Sequence, residues 1–331
     1  MKNLFDETTL GGVTLRNRAW CSATWLGLAG PRGEITEAII RTYAGLAKGG
    51  AAMLVTGLTS IAEYDATIGG EAKFYDDSFV VGHRRLTDTV HAEGAKVIMQ
   101  TAMVDGPVNE LTTSEIENIV RNFGEAAARA ERAGYDGVQI HAAHFFYLSK
   151  FISPLFNHRT DRFGGSPEKR ARILVEILAA MRERTCPGFV VAIKINSDDC
   201  QPGGLAQDDF LFAGKMLSTA GIDAIEVSAN YTSRPNIRAG VNECSFLPAA
   251  AALAAIVKTP VVLVGGVRSL EMANAVLAKT AIQYIALSRP LIREPNLINR
   301  WQAGDRRPSS CVSCNACYRT SAHACLFAVG H

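Results

Sequence analysis

The sequence predicts an α/β fold, a closed (β/α)8 barrel ending in a short cysteine-rich tail, and three observations carry that expectation. Short apolar stretches alternate with amphipathic helical ones eight times between residues 18 and 300. The apolar stretches, Val190-Val191-Ala192-Ile193 among them, show no polar alternation, as expected of strands buried on both faces. No Gly-x-Gly-x-x-Gly follows the first strand, which argues against an open dinucleotide-binding sheet.

Taken in order, the first strand is expected over 18–23, running into Ser22-Ala23-Thr24-Trp25, with a helix over 36–48. Strand 51–57 ends on Gly57 and precedes helix 79–93; strand 95–101 carries Gln100 at its end and precedes helix 114–133. The turn-like Gly134-Tyr135-Asp136-Gly137 starts strand 136–141, which delivers His141 and, three residues on, His144 into a long polar loop. That loop closes at Ser166-Pro167-Glu168. An N-cap serine, a proline at the first helical position and an acid in the first turn open helix 167–184 there. Strand 189–195 holds Lys194, with Asn196 just beyond, before helix 208–220; strand 224–228 and helix 247–257 follow. Strand 261–265 meets Gly265-Gly266 before helix 269–278, and strand 283–287 meets Ser288-Arg289 before helix 291–300. No linker rich in Pro, Gly or Ser interrupts the series. One domain is therefore expected over 1–305, and 306–331 is expected to be a tail, not an independent domain.

Composition narrows the function classes. A chain of 331 residues with 48% hydrophobic content supports a large core. A formal net charge of +2 with no block of like charge gives no electrostatic case for nucleic acid or an anionic membrane surface. The first residues carry no apolar run, and the apolar stretch 249–257 is too short to span a bilayer. A cytoplasmic location with reduced thiols is the expectation.

The strand ends carry the candidate chemistry, because a parallel barrel builds its site where strands hand over to loops. His141 and His144 form a pair there, suited to donating hydrogen bonds to a substrate oxygen. Loops after the seventh and eighth strands often bind phosphate: Gly265 and Gly266 let backbone approach an anion closely, and Arg289 can pair with it. Lys194 lies in an otherwise apolar strand, where its charge is costly unless matched. It either pairs with a carboxylate such as Glu226 or faces a ligand that develops negative charge. Gln100 offers an amide that can both donate and accept. These residues alone leave flavin mononucleotide as one option among phosphate-bearing ligands.

Several motifs add a resemblance. His141-Ala142-Ala143-His144, Ser153-Pro154-Leu155, Asn157-His158-Arg159-Thr160-Asp161 and Gly164-Gly165-Ser166-Pro167 resemble the Old Yellow Enzyme family of FMN-dependent ene-reductases. Leu15-Arg16-Asn17-Arg18 and Gly49-Gly50-Ala51 resemble it too, so the likeness covers essentially residues 1–300. It implies a TIM barrel with FMN at its C-terminal mouth and NAD(P)H as reductant. Ser22, Ala23, Thr24, Trp25 and Gly57 would line the isoalloxazine. Gln100 would meet the pyrimidine ring and Lys194 the N1/C2 edge, where most relatives carry Arg. Gly265, Gly266, Ser288 and Arg289 would hold the phosphate, and His141 and His144 the substrate oxygen. The implied reaction passes hydride from flavin N5 to an activated C=C bond in a small molecule, in a homo-oligomeric enzyme. Three departures stand out. Phe146 occupies the usual place of a proton-donating tyrosine, leaving Tyr147 as the candidate acid, with water, Tyr64 or Tyr231 as alternatives. Trp25 stands where Thr or Cys is common, and Met103 where His is common.

The tail carries Cys311, Cys314, Cys317 and Cys325. The run resembles the [4Fe-4S] ligands of 2,4-dienoyl-CoA reductase and trimethylamine dehydrogenase, whose additional NAD(P)H/FAD region is not in these 331 residues. Reduced, unligated cysteines are the preferred reading, so no metal site is assigned. A cluster-bearing electron-transfer reductase is one alternative function. A non-redox, phosphate-binding barrel lyase is the other.

Overall fold

A computed structural model describes residues 1–230 and 233–327. Eight parallel strands appear where the sequence places them: β1 (Ala19–Cys21), β2 (Met53–Val55), β3 (Lys96–Ala102), β4 (Gly137–Ala142), β5 (Val190–Asn196), β6 (Ala224–Ser228), β7 (Val261–Leu263) and β8 (Tyr284–Leu287). Each pairs with the next in chain order, and β8 pairs with β1, so the sheet closes as the (β/α)8, or TIM, barrel. β1, β2 and β7 are shorter than expected, because their last residues bend out into the mouth loops.

The helices are α1 (Glu37–Lys48), α2 (Val80–Ala92), α3 (Thr113–Arg132), α4 (Tyr147–Ile152), α5 (Pro167–Arg184), α6 (Gln207–Thr219), α7 (Leu247–Ala254), α8 (Leu270–Lys279), α9 (Arg289–Arg293) and α10 (Leu297–Gln302). Capping fixes several starts. Thr36, Ser166 and Ser269 each accept a first-turn N–H, and Thr112 forms a capping box with Glu115. Two differences from the sequence reading concern helices. The short α4 interrupts the loop after β4, and the single helix expected over 291–300 divides into α9 and α10 around Glu294-Pro295-Asn296. Proline disfavours the helical conformation in the residue before it, which ends α9 there.

Packing sorts each strand by parity. One cluster fills the barrel interior with Trp20, Met53, Ile98, Val190, Ala192, Ala224, Val262 and Tyr284. The alternate residues, such as Val97, Val138, Val191, Ile225 and Ile285, join the larger cluster between sheet and helices. An antiparallel hairpin, Thr8–Leu10 with Val13–Leu15, sends Leu10 and Leu15 into the interior cluster. Arg16 and Asn17, just past it, bind the carbonyls of Ala47, Ala51 and Gly50. The hairpin and these contacts fill the N-terminal end. Parity then places Gln100, Gln139, His141, Lys194, Glu226 and Ser228 inside, toward the C-terminal mouth. Among the described residues no helix is long and apolar enough to cross a membrane.

Candidate active site

A cavity of about 400 Å³ opens at the C-terminal ends of the strands. It is lined by Ser22, Ala23, Thr24, Trp25, Gln100, His141, His144, Lys194, Gly265, Gly266, Ser288 and Arg289. The chain delivers these residues from six different strand ends, so closure of the barrel is what brings them together.

A buried polar layer floors the cavity. Gln100 Nε2 donates to Gln139 Oε1 at 2.8 Å, and Gln139 Nε2 donates to Glu226 Oε2 at 2.7 Å. Ser22 Oγ donates to Glu226 Oε1 at 2.7 Å, and Lys194 Nζ donates to Ser22 Oγ at 2.8 Å. Lys194 Nζ also lies 3.1 Å from Glu226 Oε1, with both side chains removed from solvent. The two readings of Lys194 therefore coexist: it is paired with Glu226 and it lines the cavity.

The histidine pair is positioned by backbone. His144 and Phe145 both have positive φ, 64° and 61°, which turns the chain back over the end of β4. The His144 N–H donates to Asn196 Oδ1 at 3.1 Å, and its Nε2 lies 2.8 Å from Ser228 Oγ. The two imidazoles then meet edge to face at 5.1 Å, and Phe146 packs on His141 at 4.7 Å. Burial, then the nearby Lys194 charge, depresses the His141 pKa to about 3. Burial, then His141 and Lys194, holds His144 well below the usual imidazole range. Both rings are neutral at pH 7, and each offers one N–H. His141 Nδ1 is buried with no partner.

The opposite end of the cavity is cationic. Arg289 Nη1 donates to the Arg234 carbonyl at 2.9 Å and to Asn315 Oδ1 at 2.5 Å. Arg268, which the sequence reading missed, lies one residue past Gly265-Gly266-Val267 and is only 2% exposed. Its Nη2 donates to Ser313 Oγ at 2.8 Å, while its Nε is buried without a partner. Gly265 has φ +96°, and a Cβ there would stand 2.4 Å from the Phe246 ring, so only glycine fits.

Other expected residues lie elsewhere. Tyr147 is fully buried in α4, and its hydroxyl donates to the Pro107 carbonyl at 2.8 Å. Burial raises its pKa above the usual phenol range, and it does not line the cavity. Tyr147, the expected acid, thus stands apart from the cavity. Tyr64 is 67% exposed on the outer surface, and Tyr231 lies outside the described residues. Met103 is core, packed away from the cavity. Gly57 sits behind the loop after β1: a Cβ there would approach the Thr24 carbonyl to 2.6 Å, so it positions Trp25 without lining the cavity.

Two further lining residues, Tyr318 and His323, come from the tail. Nothing in the tail's residue spacing points to them. The four tail cysteines line a second cavity of about 310 Å³, whose wall includes Arg289 and Arg293. Arg293 Nη1 lies 3.8 Å from Cys325 Sγ. Among the described residues, no three His, Cys, Asp or Glu side chains converge on a single metal ion, while the four cysteines share one cavity.

Four buried nitrogens without partners, His141 Nδ1, Arg268 Nε, Trp25 Nε1 and His323 Nδ1, belong to residues lining one cavity. Unmatched buried donors are costly, and a ligand with acceptors along its length removes that cost. A cationic end, a glycine-rich loop and an amide–ammonium floor fit a flavin nucleotide, which places the chain among barrel flavin oxidoreductases. It belongs to the NADH:flavin oxidoreductase / NADH oxidase family, whose profile matches residues 3–109 and 104–307. FMN is its cofactor. The chain is 30% identical over 315 residues to an NADPH dehydrogenase from Geobacillus sp., covering 88% of this chain and 91% of that one. It is 31% identical over 342 residues to a metal reductase from Desulforamulus reducens, covering 95% of this chain but 51% of that one. The chain thus spans about half the length of that relative and 53% of an NADH oxidase from Thermoanaerobacter brockii. Its fold matches an old yellow enzyme homologue from Zymomonas mobilis with a TM-score of 0.79 at 22% identity, over 92% of this chain and 94% of that one. It matches 2-naphthoyl-CoA reductase with a TM-score of 0.86 at 24% identity, over 95% and 54%.

Proposed function

We propose that this barrel is an ene-reductase in which FMN, reduced by NAD(P)H, supplies hydride to the β-carbon of an electron-poor C=C bond in a small molecule. The observation that carries this reading is the neutral histidine pair beside Lys194, with an unpartnered buried nitrogen on His141. A carbonyl or nitro oxygen accepting from these rings gains negative charge as hydride arrives. Fixed donors in a water-poor cavity stabilise that charge more than they stabilise the ground state. Arg268, Arg289 and the Gly265-Gly266 loop would hold the phosphate, while Gln100 and Lys194 would meet the pyrimidine edge. The residues from Ser22 to Trp25 would flank the ring. Phe146 lines the cavity, and a phenyl ring cannot supply the proton that the α-carbon would need. Proton delivery through water is then the slow step. The non-redox lyase alternative falls with the family assignment.

Anaerobic stopped-flow spectroscopy tests the reading. NAD(P)H should bleach the flavin, and cyclohexenone or a nitroalkene should restore its absorption slowly, with saturated product formed. His141→Ala and His144→Ala should weaken phenol binding while FMN stays bound. A flavin bleached by NAD(P)H that no enone or nitroalkene reoxidises overturns the assignment.

A further inference from the structure

The cavity has an apolar strip with an imidazole at each end. Trp25, after β1, and Phe146, after β4, both pack on the cluster Leu58, Ala102 and Val104. Two strands lie between β1 and β4 in a ring of eight, so the strip crosses the mouth. At the Phe146 end stands His141, 4.7 Å away ring to ring. At the Trp25 end stands His323 from the tail, edge to face at 5.1 Å. His323 is 6% exposed, lines the cavity and makes no side-chain hydrogen bond among the described residues; its Nδ1 is buried without a partner.

The tail holds His323 there by several contacts. Tyr318 meets its ring edge to face at 5.0 Å, and the Tyr318 hydroxyl accepts from Ser233 Oγ at 2.8 Å. Asn315 Nδ2 donates to the Ser233 carbonyl at 2.7 Å while its Oδ1 accepts from Arg289. The segment carrying Tyr318 and His323 is therefore tied to the loop after β6 and to the start of α9.

We propose that His323 is a second hydrogen-bonding contact for substrate, and that the site takes flat conjugated molecules with a neutral acceptor group at each end. One oxygen sits on the His141 and His144 pair; the second meets the imidazole of His323. The apolar strip between them suits a ring or a conjugated chain. Burial lowers the pKa of His323, so its ring is neutral and favours a carbonyl, amide or nitro group over a carboxylate. The inference rests on the ene-reductase reading only in placing the first oxygen on the histidine pair.

The test uses the FMN-loaded protein and inert ligands, read by the change each causes in the flavin's visible spectrum. Phenol offers one oxygen and 4-hydroxybenzaldehyde two. The wild-type protein should bind the two-oxygen ligand about 3- to 10-fold more tightly, the range for one neutral hydrogen bond. In His323→Phe, which keeps a ring against Trp25, that ratio should fall toward one; His323→Gln, which keeps a donor, should retain part of it. An unchanged ratio in His323→Phe, or equal weakening of both ligands, overturns the inference. If the ratio behaves as expected while no alkene accepts hydride, the ene-reductase reading fails and the second contact stands. If neither ligand perturbs the flavin, both fall.

Discussion

Replacing Glu226 by Gln isolates the charge under the proposed flavin site. The pair with Lys194 is 3.1 Å long, and the side chains are 4% and 0% exposed. At that distance and an effective dielectric of about 20, the Coulomb attraction is roughly 5 kcal/mol. Removing one partner of a buried pair leaves the other uncompensated and costs about 3–5 kcal/mol. Glutamine keeps the volume. It can still accept from Ser22, but its NH2 then faces Gln139, which must turn its amide and force Gln100 to turn in sequence. Urea unfolding of the flavin-free protein should thus show Glu226→Gln destabilised by about 3–5 kcal/mol. A second measurement separates charge from packing. With its counter-charge gone, Lys194 presents more positive charge to a reduced flavin, so the FMN reduction potential should rise, by about 30 mV for each tenfold gain in relative affinity for the reduced form. Lys194→Met should lower it. A cost under about 1 kcal/mol, the range of a solvent-screened pair, would refute the premise that the pair is desolvated. A potential unmoved by both variants would refute the placement of Lys194 at the flavin edge.

Phe146→Tyr should place a phenol beside His141 and speed reoxidation by cyclohexenone in stopped flow, recovering part of the ~10²–10⁴ that a positioned acid contributes, with little change in reduction by NAD(P)H. Stability should fall in acid because His83 and His141 are depressed to about 3 and His144 lies well below its usual range. Unfolded histidines take up protons near pH 6.5. The stabilisation is thus complete above that value and is lost as pH falls from there toward 3, at up to about 1.4 kcal/mol per unit for each ring. Urea unfolding at pH 7.5 and 5.5 should show it, and equal stabilities would contradict the neutral assignment. Asn315→Ala should weaken FMN binding severalfold in fluorescence titration of the flavin-free protein, by loosening Arg289, since a hydrogen bond to a charged group contributes about 1.5–3 kcal/mol.

The eight strands were legible because each is short, apolar and followed by a helix with a readable start, as at Ser166-Pro167-Glu168. Their parity was not. Glu226 was legible as a partner for Lys194, but in a strand buried on both faces inward and outward residues are mostly apolar alike, so nothing marked Gln139 and Ser228 as sharing that interior. Register supplies that: His141 pairs with Lys194, and Glu226 with Lys194. The motif that points most firmly to the family is largely scaffold. Asn157 Nδ2 binds the carbonyls of Phe151 and Phe163, and Arg159 pairs with Asp161, shaping the loop while the cavity is lined by others. Tyr147 follows Phe146 in sequence, but the first helical turn sends its ring to Pro107. Tyr318 and His323 were invisible because the tail has no periodicity, and long-range contacts alone decide where its side chains go.

Those contacts make the tail part of the site. Ser313 holds Arg268, Asn315 holds Arg289, and Tyr318 and His323 cover the end of the cavity at Trp25. Arg289 also forms wall in common between the main cavity and the one lined by the four cysteines. The guanidinium groups stand at one end, Lys194 is matched by Glu226 in the floor, and the histidines at the other end are neutral. Charge is thereby segregated along the cavity. An anionic group is drawn to the guanidinium end, and the histidine end is left to uncharged acceptors. A ligand of mixed character has one favourable orientation, and the same tail that fixes the cationic end also bounds the apolar one.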